Sequence, residues 1–184
     1  MAGIVCPPWL GYFLLNPLRK LFENPGRIFK QFITEGMTVL EPGCGMGFFT
    51  LHLARMVGPS GLVVAADIQS KMLDVLESRA RKAGIIDRIE LRVIKADNMG
   101  LDDLSEKVDF TACMHMLHEV PDQASFFTQV HKVSKPGGKV LVVEPKGHVN
   151  RDRFEETISI AEKAGFKYDI KSANMGSRTA LLIK

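Results

Sequence analysis

Short apolar runs alternate along the chain with segments in which apolar residues recur every three to four positions. Continuous apolar runs of this length, rich in β-branched side chains, predict buried strands. They lie at residues 37–40, 62–66, 89–94, 108–114 and 139–143. The periodic segments predict helices over residues 48–57, from a Ser70 cap, from Asp122 to about Ser134 and over residues 151–164. Strands that alternate with helices in this way predict a parallel sheet with helices on both faces.

The two ends of the chain depart from this alternation. Asn-Pro pairs at residues 16–17 and 24–25 predict two short helices, because Asn suits a helix N-cap and Pro suits the first helical position. Two further strands, near residues 166–171 and 178–183, flank an Asn-Met-Gly turn at 174–176, which predicts an antiparallel hairpin. The predicted fold class is therefore α/β, a doubly wound, mostly parallel seven-stranded sheet with an antiparallel C-terminal hairpin strand.

Composition and charge narrow the class of protein. A length of 184 residues predicts one domain, with residues 1–35 as an N-terminal helical or lid segment and residues 36–184 as its main body. The net charge of +3 is too small to indicate a nucleic-acid partner. The three cysteines, at positions 6, 44 and 113, have no paired spacing, so they favour a reducing, cytoplasmic location over a disulfide framework.

The N-terminal segment is apolar but does not have the pattern of a membrane span. Residues 1–18 carry no charged side chain, which is close to the length needed to cross a bilayer. Pro and Gly interrupt the segment, and its longest clean apolar piece, residues 9–15, is too short. Neither a positively charged n-region nor a small-residue cleavage site is present, so a signal peptide is not predicted. We expect this segment to pack on its own protein or to line a site.

A glycine-rich turn follows the first predicted strand. The stretch EPGCGMG begins at Glu41 and places Gly43, Gly45 and Gly47 at alternate positions before a helix. Such a turn lets a ligand lie against bare backbone, next to the unpaired N–H groups of a helix N-terminus. The dinucleotide pattern G-x-G-x-x-G fails, because Phe48 occupies the third glycine position. A glutamate beside the turn repels a pyrophosphate and attracts a ligand that carries ammonium and sulfonium groups.

The stretch VLEPGCGMGFFT resembles motif I of the class I S-adenosylmethionine (SAM)-dependent methyltransferases. The resemblance extends over about residues 36–184, where VVAADIQSKML, IKADNM, VDFTACMHMLHEV and KPGGKVLVVEP match the later motifs in order. It implies that residues 36–184 are a SAM-binding methyltransferase domain. The nearest resemblance is to small-molecule methyltransferases of the ubiquinone and menaquinone biosynthesis type. It implies direct displacement of the methyl group onto a small-molecule acceptor, which leaves S-adenosylhomocysteine.

The resemblance assigns the cofactor contacts to residues at the ends of the early strands. Asp67 matches the acidic residue that holds the ribose hydroxyls, and Asp97 and Asn98 follow the third strand, where the family binds adenine. The implied cofactor-binding residues are Glu41, Gly43, Gly45, Gly47, Asp67, Ile68, Asp97, Asn98, Met99 and Met114. Structural roles stay open as alternatives: a helix cap for Asp67, a turn cap for Asp97 and a surface lysine pair for Glu41.

Two histidines follow the fourth strand, close to where the resemblance places the transferred methyl group. His115 and His118 are the predicted catalytic residues, as a general base or an orienting hydrogen bond, with a non-catalytic position at the pocket rim as the alternative. The spacing Cys113-x-His115-x-x-His118 fits no zinc pattern, so no metal is predicted. The predicted substrate-pocket residues are Trp9, Tyr12, Phe13, Glu144 and Lys146.

The apolar N-terminus gains a predicted role from the resemblance, because extensions before motif I often cover the pocket mouth in this family. A lid of this kind excludes water and favours an apolar or aromatic acceptor. The alternatives are that the segment covers a face of the sheet or contacts a membrane surface. Two other functions stay open: a SAM-binding sensor or scaffold without turnover and, less favoured, a nicotinamide-dependent oxidoreductase.

Overall fold

A computed structural model describes residues 23–169 and 178–184 of the chain. The predicted pocket residues Trp9, Tyr12 and Phe13 lie outside the described residues, as do the first predicted short helix and the turn of the hairpin. The chain divides into two compact units, of which one ends at Val93 and the other begins at Ile94.

The described part of the first unit, residues 23–93, contains three parallel strands and three helices. Its elements are α1 (Pro25–Phe29), β1 (Thr38–Pro42), α2 (Thr50–Met56), β2 (Leu62–Asp67), α3 (Ser70–Lys82), a 3-10 turn (Ile86–Arg88) and β3 (Ile89–Val93). β2 lies between β1 and β3 and pairs in parallel with both. The Asn24 side chain accepts the N–H of Arg27 at 3.3 Å and so caps α1, as the Asn-Pro pair predicts.

In the second unit, residues 94–169 and 178–184 are described and contain four strands and two helices. Its elements are a 3-10 turn (Asp102–Leu104), β4 (Val108–Met114), a 3-10 turn (Leu117–Glu119), α4 (Gln123–Val133), β5 (Ser134–Glu144), α5 (Arg151–Lys163), β6 (Lys167–Asp169) and β7 (Arg178–Ile183). β4 and β5 pair in parallel, whereas β7 pairs antiparallel with both β5 and β6. The strand order within this unit is therefore β4-β5-β7-β6.

The fold class predicted from the pattern is confirmed. The seven strands make up a mixed sheet that is mostly parallel, with the antiparallel pair at the C-terminal end. The strands are apolar runs because both faces are covered, and Val39, Leu40, Val64 and Leu141 are fully buried. Within the described part of the chain, no helix combines the length and the apolar character that crossing a membrane requires.

Three of the predicted element starts are wrong. α2 begins at Thr50 instead of residue 48, since the turn through Gly47 keeps Phe48 out of the helix although its side chain is buried. The N-cap of α3 is Gln69 instead of Ser70. β5 begins at Ser134 instead of residue 139, and its pairing with β4 shifts register before Lys139.

Parallel pairing fixes where the candidate site lies. In the register of β1 and β2, Glu41 pairs with Ala65 and Pro42 pairs with Ala66, so Asp67 follows directly at the same edge. In the register of β4 and β5, Met114 pairs with Val143, so Glu144 lies at the carboxyl end of the second strand. In open α/β sheets the carboxyl ends of the strands are the edge at which ligands bind.

Candidate functional site

The glycine turn is tied to the end of β2 by backbone hydrogen bonds. The N–H groups of Gly43 and Cys44 both donate to the carbonyl of Ala66, at 2.8 and 3.2 Å. The N–H of Gly45 donates to Oδ2 of Asp67 at 2.9 Å. Because both anchors belong to one strand, the turn is held in a fixed position beside the Asp67 carboxylate.

Two glycines of the turn need a bare backbone for different reasons. Gly47 has φ of +80°, and a Cβ there would lie 2.2 Å from Cδ1 of Leu76 on α3. Gly45 has φ of +53°, and apart from its chain neighbours no atom of residues 23–169 or 178–184 lies within 4 Å of the place where its Cβ would be. Gly47 therefore lets α3 pack closely on the turn, whereas Gly45 leaves open backbone surface against which a ligand can lie.

Arg79 supports the same turn from α3, and sequence reasoning missed it. Its Nη1 donates to the backbone carbonyl of Met46 inside the turn. Partial burial of the guanidinium lowers the pKa of Arg79 from its ordinary value. The only sequence signal is its position three residues after Leu76, which places both side chains on one face of the helix.

Glu41 is a buried acid beside the turn. It is 2% exposed, and its Oε2 atom has no hydrogen-bond partner among the described residues. Burial raises the pKa of Glu41 to about 8; the nearby Asp67 charge adds to this rise, and contact with the Thr50 hydroxyl opposes it. The hydroxyl of Thr50 itself makes no hydrogen bond of good geometry within the described chain. An unpartnered carboxyl oxygen in such a place fits a positively charged or hydrogen-donating ligand group.

Asp67 organises the backbone around it. Its Oδ1 accepts the N–H of Gln69 at 2.9 Å, and its Oδ2 accepts the N–H of Gly45 at 2.9 Å. Burial raises the pKa of Asp67, and hydrogen bonds from the backbone of Gln69, Gly45 and Ile68 oppose the rise. Each carboxylate oxygen has two lone-pair positions, so each can still accept one hydrogen bond from a ligand. The adjacent Ile68 exposes 40% of its surface, which is unusual for a large apolar side chain.

In the second unit, the segment after β3 is anchored to α4. The N–H of Met99 donates to Oε1 of Gln129 at 2.8 Å, and the Met99 side chain is buried. Asn98 uses its Oδ1 to accept the N–H of Gly100 at 2.8 Å, whereas the Asp97 side chain is exposed. Gln129 thus fixes the backbone at Met99, and no motif in the chain indicated this contact.

The structure brings together His118 and Glu144, which the sequence predicted as separate site residues. Nδ1 of His118 lies 2.5 Å from Oε2 of Glu144, and Oε1 of Glu144 accepts the N–H of Leu117 at 2.8 Å. Glu144 is 2% exposed, so its carboxylate is held inside the protein by these two partners. The hydrogen bond that Nδ1 of His118 donates to Glu144 is the main reason that the pKa of His118 is raised above its ordinary value, although burial opposes the rise.

The other predicted residues of this unit lie along the same strand ends. Met114 ends β4 and is buried, and the N–H of His115 continues the ladder by donating to the carbonyl of Val143 at 2.7 Å. His115 has φ of +57°, a left-handed conformation that is uncommon outside glycine and concentrates at functional sites. Lys146 is exposed. Across the described residues, no group of three or more His, Cys, Asp or Glu side chains is placed to hold a metal ion.

Comparison with protein families and sequences gives consistent matches. Residues 33–174 match the family described as methyltransferase domain. The chain is 32% identical over 143 residues to the demethylmenaquinone methyltransferase of Lactobacillus johnsonii, across 76% of this chain and 58% of that protein. It is 35% identical over 142 residues to the ubiquinone/menaquinone biosynthesis C-methyltransferase UbiE of Pectobacterium carotovorum, across 72% of this chain and 54% of that protein. The chain thus spans little more than half the length of these relatives.

Solved structures share the fold. The crystal structure of a SAM-dependent methyltransferase from Aquifex aeolicus matches with a TM-score of 0.83 and 24% identity, over 97% of each chain. A SAM-dependent O-methyltransferase from Thermotoga maritima matches with a TM-score of 0.68 and 20% identity, over 88% of this chain and 64% of that one. At these identities the likeness establishes the architecture alone.

Proposed function

This chain belongs to the family of methyltransferase domains, and from that premise we propose that it transfers the methyl group of SAM to a small apolar or aromatic acceptor. The resemblance to the class I SAM-dependent methyltransferases, drawn from the motifs, is confirmed by the family match. SAM is the cofactor of that family, and when bound it supplies an electrophilic methyl group on a positively charged sulfur.

The observation that carries the proposal is the pair of carboxylates beside the glycine turn. Glu41 has one buried oxygen without a partner among the residues that the structure describes, and this oxygen suits the cationic part of SAM. Asp67 retains lone pairs on both oxygens, which suits the two hydroxyls of a ribose. Gly45 leaves open backbone surface beside them. Burial keeps Glu41 neutral in the free protein, and a cationic ligand group beside it would let it ionise, so the residues present fit this ligand.

The chain contributes orientation and the exclusion of water more than acid or base strength. A sulfonium is already an excellent leaving group, so alignment of the acceptor with the methyl carbon is the main requirement. Holding two reactants in a near-attack geometry contributes about 7 to 11 kcal/mol in favourable cases. We therefore expect few residues to be essential for the methyl-transfer step itself. Substitutions in the glycine turn should mainly weaken SAM binding.

The relatives suggest which acceptor to test first. The names of these relatives refer to demethylmenaquinone and to ubiquinone and menaquinone biosynthesis, so we propose a reduced quinone ring as the acceptor. We also place this reaction in a reducing, cytoplasmic setting. The buried free thiols of Cys44 and Cys113 support that setting, because neither is part of a disulfide.

The test is transfer from methyl-labelled SAM. The full chain is incubated with an isoprenoid naphthoquinol that lacks a ring methyl group, with a benzoquinol and with a catechol, under reducing conditions. We expect label in the product and an equal amount of S-adenosylhomocysteine. A naphthoquinol whose acceptor position is already methylated is the matched control and should take up no label. SAM binding without transfer to any acceptor would contradict the proposal and favour a sensor or scaffold.

A further inference from the structure

Glu144 fixes one tautomer of His118. Its Oε1 already accepts the N–H of Leu117 at 2.8 Å, and its Oε2 lies 2.5 Å from Nδ1 of His118. A carboxylate with no proton can only accept hydrogen bonds, so the Nδ1 atom must carry the hydrogen. The other ring nitrogen, Nε2, is then the atom able to take up a proton. This arrangement matches a base that is oriented by a third group, a recurring feature of catalytic sites.

Resting on the proposed methyl transfer, we propose that Nε2 of His118 is the general base for the acceptor and that Glu144 is its positioning residue. The acceptor class that needs such a base carries a phenolic O–H, as a quinol does. A phenol with its proton in place is a poor nucleophile at neutral pH, whereas its phenolate is a good one. The turn Leu117–Glu119 presents the imidazole with 16% of its side chain exposed, so a bound molecule can reach it.

The surroundings of the imidazole favour its protonated form. Glu144 faces it from β5, and Oε1 of Glu119 lies 3.9 Å from Nε2. Nη2 of Arg153 on α5 donates a hydrogen bond to the backbone carbonyl of His118 at 3.1 Å. The ring of His148 packs edge-on against that of His118, with 5.5 Å between the ring centroids. Two carboxylates raise the pKa of His118, and burial and the Arg153 charge oppose them. The base is therefore stronger than a free imidazole.

The reaction balances with one proton released. The O–H bond of the acceptor breaks and its proton passes to Nε2 of His118. The electron pair left behind, on oxygen or on a conjugated ring carbon, forms the bond to the methyl carbon. The bond from that carbon to sulfur breaks, and its electrons stay on sulfur. Where a ring carbon is methylated, that carbon then loses its own hydrogen as a proton and the ring oxygen regains one.

Two variants distinguish the general base, His118, from its positioning residue, Glu144. His118→Asn keeps a side-chain N–H able to reach Glu144 but has no counterpart of Nε2, so we expect the rate with the naphthoquinol to fall by 10²-fold or more. Glu144→Gln still accepts the N–H of Leu117 but removes the negative charge. The rising limb of its rate against pH should then move to lower pH than in the wild type, because the pKa of His118 falls without its carboxylate. The matched control Glu119→Gln should move the limb far less, since its oxygen is 3.9 Å from Nε2.

Nitrogen NMR of the histidine rings gives a readout that needs no acceptor. In the wild type, we expect His118 to titrate above an ordinary histidine with its hydrogen on Nδ1, and in Glu144→Gln to titrate lower. An unchanged titration in Glu144→Gln would overturn the positioning role. An unchanged rate and pH profile in His118→Asn, with wild-type transfer intact, would overturn the base role alone. Absence of transfer by the wild type to every acceptor would overturn the proposed function, and the base role with it.

Discussion

At the scale of single residues, the two acids beside the glycine turn have different environments and therefore different tasks. Each carboxylate oxygen of Asp67 accepts one backbone N–H. These hydrogen bonds favour the ionised form of Asp67 and fix the orientation of its side chain. Glu41 has a buried oxygen that meets no partner in the described part of the chain, and its burial favours the neutral form. Asp67 is thus suited to accept hydrogen bonds from hydroxyls, and Glu41 is suited to exchange its proton for a positive charge.

Asp67→Ala should weaken SAM binding by more than tenfold, because a pair of hydrogen bonds to a charged group is lost. The variant also frees the N–H of Gly45, which loosens the turn. Calorimetric titration with SAM measures the effect. The matched control is Asp74→Ala, which removes an exposed carboxylate from α3 and should leave the affinity unchanged. Equal affinity of wild type and Asp67→Ala would count against this site.

Glu41→Gln should change how stability depends on pH. The folded-state pKa of Glu41, about 8, exceeds its ordinary value of 4.5, so its contribution is fully present below pH 4.5 and is lost as the pH rises through about 8. Within that window the ligand-free wild type loses about 1.4 kcal/mol of stability per pH unit from this group. Glutamine does not ionise, so the variant should gain stability relative to wild type as the pH rises. Urea unfolding of both proteins across this pH window measures the gain. A difference in the free energy of unfolding that does not change with pH would refute the prediction.

At the scale of elements, the turn between β1 and α2 is shaped by contacts with α3. Leu76 occupies the space next to Gly47, and Arg79 holds the carbonyl of Met46. The same turn is bound at its start to the end of β2. A strand and a helix thus fix the backbone before a ligand arrives, which lowers the entropy lost on binding.

Gly45→Ala and Gly84→Ala form a matched pair that separates backbone strain from ligand binding. Both glycines have positive φ, +53° and +66°, and at neither would a Cβ meet an atom within 4 Å. Each alanine should therefore lower the free energy of unfolding by roughly 1 to 2 kcal/mol, the cost of a left-handed L-residue. Only Gly45→Ala places a methyl group on the proposed ligand surface, so it alone should weaken SAM binding by tenfold or more. Similar affinities for the two variants would place the ligand elsewhere.

At the scale of the whole molecule, the fold is maintained although few residues are shared. The match to the Aquifex aeolicus structure covers 97% of each chain at 24% identity. What the two chains share is the architecture, and many apolar sequences can pack such a core. Ligand binding to such a folded chain stabilises it by mass action, by about 2.7 kcal/mol at a ligand concentration of 100 times Kd.

SAM binding should release protons from the molecule. A neutral Glu41 must ionise to meet a positive charge, so below about pH 8 the affinity should rise with pH. Between about pH 6 and pH 7 we expect release of close to one proton per SAM, beyond what the ligand itself contributes. Calorimetry in buffers of different ionisation enthalpy counts these protons. The variant Glu41→Gln should release about one proton fewer per bound SAM than the wild type. Equal numbers of released protons for the two proteins would contradict the proton exchange at Glu41.

The sequence by itself determined the order of strands and helices, the family and the glycine turn with its flanking acid. These are local properties, because periodicity, turn residues and motif spacing are all read within a short stretch of chain. Helix starts were less well predicted, since the turn at Gly47 and the Gln69 cap are set by contacts with neighbouring elements. All assignments of residues to the cofactor stay predictions: Glu41, Gly43, Gly45, Gly47, Asp67, Ile68, Asp97, Asn98, Met99 and Met114.

Only the tertiary structure decided which side chains act together. His118 meets Glu144 across 26 positions, Gln129 meets Met99 across 30, and Arg79 meets Met46 across 33. Each contact joins two elements that periodicity predicts separately, and the distance between their side chains depends on how strands pair and helices pack. A one-residue change of register would turn a strand residue such as Glu144 to the other face of the sheet. The tautomer of His118 therefore follows from the folded packing and from no motif in the chain.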